Sequence, residues 1–154
     1  MNILYNSKTA REYSNEGRIE DWVHSFLCNE GNNIAFSDGL KLEKRQYIGP
    51  LNMPLHLFQR CCGPEENMIY KINEDGFLWR VSEIAKRIES GWDMPPLIIN
   101  YSDNVFELND GNHRYQAMIN SGIKKCDVII WTTGIEDYQQ FLEQYREFIY
   151  EISS

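Results

Sequence analysis

A chain of 154 residues with 42% hydrophobic and 25% charged residues is the size and composition of one ordinary globular domain, and excludes a disordered chain. Aromatic residues make up 13%, enough to build a core without disulfides or a structural metal. The net charge of −8 argues against duplex DNA as a partner, because proteins bind it largely through Lys and Arg on phosphates, although a local pocket on an acidic protein can still be positive.

Residues 1–8 carry no apolar run of the kind a secretory leader has, and no stretch approaches the roughly 20 apolar residues of a membrane span. The four cysteines, Cys28, Cys61, Cys62 and Cys126, include no Cys-x-x-Cys pair, so zinc ligation is not expected. These features predict a reduced, cytoplasmic protein with no membrane contact.

Residues 1–13 give no clear periodicity. Ile19, Trp22, Val23, Phe26 and Leu27 recur at helical spacing, with Ser14 or Asn15 as cap and Gly31 just past the end. Residues 29–44 read as a loop with room for one short strand. Tyr47-Ile48 reads as a strand before Gly49-Pro50, and 50–77, punctuated by Pro54 and Pro64, reads as mostly irregular. A helix follows on the stripe Val81, Ile84, Ala85 and Ile88, closed by Gly91. Leu97-Ile98-Ile99 and Val105 to Leu108 form a hairpin about Ser102-Asp103-Asn104. A short helix then carries Tyr115, Met118 and Ile119 up to Gly122, and Val128-Ile129-Ile130 forms a third strand. One long amphipathic helix ends the chain, its apolar face running from Ile135 to Ile152. These elements predict an α+β fold, a small mixed sheet with helices packed around it.

The chemistry concentrates where the second hairpin strand meets the short helix, at Asp110-Gly111-Asn112-His113-Arg114. The first turn of a helix has free backbone N–H groups and the positive end of the dipole, which together suit phosphate. Gly111 permits close backbone approach, and His113 and Arg114 add a switchable donor and a permanent cation. Asp110 could accept a hydrogen bond, hold a metal or cap the helix. Capping is favoured, because a bare carboxylate beside phosphate is repulsive.

The run from the Pro95-Pro96 strand through Gly111-x-x-Arg114-x-x-Ala117 to Val128-Ile129-Ile130 resembles the ParB N-terminal/sulfiredoxin superfamily over about residues 65–131. Within one domain, the resemblance implies a core over about 45–131, a helical N-terminal extension over about 1–44 and a C-terminal helix over about 135–152. It also implies a nucleotide, ATP or CTP, with Asp110, Gly111, Asn112, His113 and Arg114 at its phosphates and magnesium alongside. Sulfiredoxins place a cysteine where this chain has Asn112, so sulfinic-acid repair is not expected. The chromosome-partitioning members follow this domain with a helix-turn-helix, whereas here one acidic helix follows, so centromere binding is not expected either.

The kinase-like members place an acidic residue after a proline, which suggests Glu65 or Glu66, after Pro64, as catalytic base with His113 stabilising developing charge. The leading expectation is transfer or hydrolysis of a phosphoryl group, to a small-molecule or protein acceptor that the sequence does not name. A ParB-like nuclease and a non-catalytic nucleotide sensor or interaction module are the alternatives. Arg60, Lys71 and Arg80 are further cations near the irregular stretch, and Glu107 lies on a strand whose face is open. Cys61-Cys62 reads as a pair of core or loop thiols, and His24 and His56 have no metal-ligand partner at useful spacing.

Overall fold

The computed structural model describes residues 3–153, with side chains described through residue 149. Three helices open the chain: α1 (Ser7–Asn15), α2 (Ile19–Cys28) and α3 (Ile34–Leu40). The expected α2 is present, but α1 and α3 were not legible as helices. A capping box starts α1, the Asn6 side chain accepting from Thr9 N–H while the Thr9 hydroxyl accepts from the Asn6 N–H. Only Ala10 of α1 is buried, so no apolar stripe announces it. Asn33 caps α3 by accepting from the Phe36 N–H, so the polar stretch read as a loop supplies a helix start.

β1 (Arg45–Pro54) runs straight through the cis Gly49–Pro50 bond that reads in sequence as a break, and its register against β7 (Lys125–Thr133) shifts there. The stretch read as irregular begins with the end of β1 and a 3-10 turn (Leu55–Leu57), and then holds the two-residue strands β2 (Gln59–Arg60), β3 (Cys62–Gly63) and β4 (Tyr70–Lys71). Then come α4 (Glu74–Glu89), the expected hairpin β5 (Leu97–Ser102) and β6 (Val105–Asp110), and α5 (Asn112–Asn120). Asp103 and Asn104 adopt positive φ at the hairpin turn. The long C-terminal helix is instead two, α6 (Ile135–Gln144) and α7 (Arg146–Ser153), parted at Tyr145. Ile152, the last residue of the expected stripe, lies outside the described side chains.

The main sheet has the order β1-β7-β5-β6-β2 and is mixed, β5 lying parallel to β7 and antiparallel to β6. Both faces are buried, which is why its central strands read as continuous apolar runs. Ile99, Leu108, Val128 and Ile130 enter one core with Met118 of α5 and Phe141 of α6. Ile98 and Ile129, one residue out of step, enter a second core with Trp22, Val23, Phe26 and Leu27 of α2. α4 packs against α5 through Phe77, Val81, Ile84 and Ala117.

Candidate functional site

Gly111 is the pivot. It takes φ +103 at the N-terminus of α5, and a Cβ there would stand 2.5 Å from Leu97 Cδ2 and 2.9 Å from Arg114 Nη2. Only glycine fits. The first bond of the helix runs from the Tyr115 N–H to the Gly111 carbonyl, leaving the N–H groups of residues 112–114 outside the helix's own ladder.

Asp110 does not cap this helix. Gly111 is the cap residue, and the buried Asp110 carboxylate accepts instead from Arg114 Nη2 at 2.8 Å. Arg114 is buried too, and its Nη1 donates to the carbonyls of Pro95 and Pro96, the latter at 3.4 Å. Burial pushes the Asp110 carboxyl above the usual carboxylate range although Arg114 pulls it down, and burial likewise lowers Arg114. The pair staples the motif to the strand that the Pro-Pro segment introduces.

Asn112 is buried and ties down the irregular stretch. Its Oδ1 accepts from the N–H groups of Cys61 at 3.0 Å and Cys62 at 3.1 Å, and its Nδ2 donates to the Leu108 carbonyl at 3.2 Å. Cys61 and Cys62, distant in sequence from the motif, are thereby held beside it. Burial raises the pKa of both, which keeps them protonated and poor nucleophiles.

His113 is half-buried beside Phe77, ring centroids 4.9 Å apart, and makes no hydrogen bond among the described residues. Burial and the cations Arg80, Arg60 and Arg114 lower its pKa to about 4, so the ring is neutral near pH 7. Arg60 stacks on Phe77 at 4.9 Å and pairs with Glu65. That pairing holds Glu65 below the usual carboxylate range. Glu66, nearly fully exposed, pairs with Lys71. Arg80 is exposed and has no ion pair among the described residues.

A cavity of about 810 Å³ opens over the N-terminus of α5. Residues 110–114, Cys61, Cys62, Glu107 and Asn109 form its floor; Arg80, Ile84 and Arg87 of α4 form one wall. The turn between α2 and α3, with Phe26 and Phe36, forms the other, and Trp92, under the Arg87 guanidinium at 3.7 Å, also lines it. The cavity thus gathers Asp110 to Arg114, whereas Glu65 and Glu66 are not among the residues that line it. Asn109 and the α2–α3 turn were missed, because a wall assembled from separate segments has no local sequence pattern. Among the described residues no three His, Cys, Asp or Glu side chains gather as a metal cluster, and no helix is long and apolar enough to cross a membrane.

No family model matches the chain, and no curated protein matches it. Solved structures do. A Pnob8-like ParB-N domain is 18% identical with a TM-score of 0.39, over 71% of this chain and 38% of that one. Sulfiredoxin from Arabidopsis thaliana is 18% identical with a TM-score of 0.39, over 62% of this chain and 93% of that one. The C-terminally truncated chromosome-partitioning protein ParB from Caulobacter crescentus, complexed with CTP-gamma-S, is 15% identical with a TM-score of 0.37, over 67% and 53%. The chain therefore spans well under half of the ParB-N structure and about half of the Caulobacter one. All three likenesses lie below 20% identity and below a TM-score of 0.5.

Proposed function

We propose that the cavity binds a nucleoside di- or triphosphate, ATP or CTP, with its phosphates at the N-terminus of α5, and that the protein hydrolyses or transfers a phosphoryl group. The observation that carries this reading is the cavity over the N-terminus of α5, lined by residues 110–114 and by Arg80. N–H groups at residues 112–114 outside the helix ladder supply donors, Gly111 permits the positive-φ turn that presents them, and Arg80 supplies a cation with no ion pair among the described residues. The cavity is of the size that takes a small organic ligand, and Phe36 and Trp92 offer rings for a base to stack on.

Asn112 and the Asp110–Arg114 pair support this cradle from behind. Magnesium would enter with the nucleotide, held by its phosphates and by water. Four free thiols suit the reducing cytoplasm.

A second reading, a nucleotide-binding module without turnover, is favoured by one observation. Glu65 and Glu66, the expected bases, are both engaged by cations at the edge of the irregular stretch. Nuclease action is disfavoured by the charge of −8.

Calorimetric titration of ATP and CTP, with and without magnesium, tests the reading. Wild type should bind at least one of them. Arg80→Gln should weaken binding by about tenfold or more with the melting temperature unchanged, as for loss of one charge-assisted hydrogen bond. No binding by wild type, or equal affinity in the variant, would refute it.

A further inference from the structure

The β5–β6 register sets Ile99 opposite Leu108 and Asn100 opposite Glu107. Ile99 and Leu108 enter the core shared with α5 and α6, so Glu107 points to the other face of the sheet, the one that α1 to α3 cover. Near the end of β6 the register slips, and Asn109 is the extra residue, a bulge that re-aims its side chain. The indole N–H of Trp131 donates to Asn109 Oδ1 at 2.9 Å, and Asn109 Nδ2 donates to Glu107 Oε1 at 3.0 Å.

The direction of this relay is fixed by chemistry. Indole can only donate, so the amide oxygen must face Trp131 and the amide nitrogen must face the carboxylate. Glu107 is thereby held by one oxygen, while its Oε2 has no hydrogen-bond partner among the described residues. The carboxylate lines the cavity with Asn112 and His113, and its charge reaches the Cys61 thiol, whose backbone Asn112 holds.

We propose that Glu107 is the general base of nucleotide hydrolysis, with Asn109 and Trp131 as its positioning residues. Oε2 accepts a proton from a water molecule as the water oxygen bonds to the terminal phosphorus. The bond from that phosphorus to the bridging oxygen breaks, and its electron pair leaves on the shortened nucleotide. The proton passes from Glu107 to solvent, and inorganic phosphate departs. This rests on the nucleotide reading above.

Affinity and phosphate release are measured separately, with ATP and CTP plus magnesium, on wild type, Glu107→Gln and Trp131→Phe. Glu107→Gln keeps the oxygen that accepts from Asn109. It should bind nucleotide within about threefold of wild type while phosphate release falls about a hundredfold or more, the usual worth of a general base. Trp131→Phe should lower turnover by less and leave the dissociation constant unchanged, a split that mere loss of structure would not give. Wild type that binds nucleotide but releases no phosphate overturns the role of Glu107 and leaves the nucleotide reading standing. So does Glu107→Gln turning over at the wild-type rate. Absence of binding overturns both.

Discussion

Replacing Arg114 by alanine should act first on folding. The guanidinium is 9% exposed, its carboxylate partner Asp110 is 13% exposed, and it also donates to the carbonyls of Pro95 and Pro96. Alanine leaves a buried carboxylate unpaired and strands a backbone acceptor. Removing one member of a buried pair costs about 3–5 kcal/mol, a large share of the roughly 5–15 kcal/mol that holds a domain together. At about 2–4 °C per kcal/mol for a domain of this size, the melting temperature should fall by ~6–20 °C. Circular dichroism melts give the shift, and nucleotide titration well below the variant's melting point separates folding from binding. Arg114→Met with Asp110→Asn, which removes both charges together, should recover part of the loss. If Arg114→Ala melts like wild type yet fails to bind nucleotide, the buried staple is refuted and Arg114 is a direct phosphate ligand.

Gly111→Ala should destabilise by about 1–3 kcal/mol, the cost of a side chain at positive φ that also meets Leu97 and Arg114, and urea unfolding would read it. An unchanged midpoint would mean the turn relaxes. Asn112→Ala strands the N–H groups of Cys61 and Cys62, each worth about 1–3 kcal/mol where buried, and should speed amide exchange at 61–63 far more than in β5. Uniform protection would count against that anchor. His113 has a folded pKa lowered to about 4, below its ordinary 6.5, so its neutral form favours the folded state. Its contribution is whole above 6.5 and lost as pH falls through 4, so His113→Gln should flatten stability across that window. Nucleotide should raise the His113 midpoint in ring-proton titrations, and a midpoint that stays put or falls would contradict an anion at the site.

The parts of this fold legible in sequence are those where local pattern and tertiary demand coincide. Ile98 and Ile99 need opposite faces of a buried sheet, so an apolar run between turn formers reads correctly as a strand. Gly111 marks its turn because no other residue fits. α1 stays hidden because a capping box and polar bonds, such as the Trp22 indole N–H to the Thr9 hydroxyl, anchor it rather than an apolar stripe. The break at Tyr145 stays hidden because α6 and α7 keep one continuous apolar face across it, Phe141, Tyr145 and Phe148 stacking in sequence. In the site, residues 110–114 are legible as a motif, but their partners are not. Cys61 and Cys62 lie about 50 positions from Asn112, and Pro95 lies 19 from Arg114.

Those partners change the electrostatics of the site. Counting cations near His113 gives Arg60, Arg80 and Arg114, which suggests a strongly positive cradle. Glu65 offsets Arg60, however, and Asp110 offsets Arg114, so Arg80 and the helix N-terminus carry the uncompensated charge, with Arg87 farther along the wall on Trp92. The chain around them carries −8. A polyphosphate has more negative charge than this cradle offsets, and Glu107 adds to the excess. On the reading proposed above, the ligand would be a nucleotide whose charge magnesium already reduces. The same balance would let an acidic protein favour a small phosphate ligand over a long polyanion: the attraction is confined to one turn of backbone and one arginine, and the field beyond it repels.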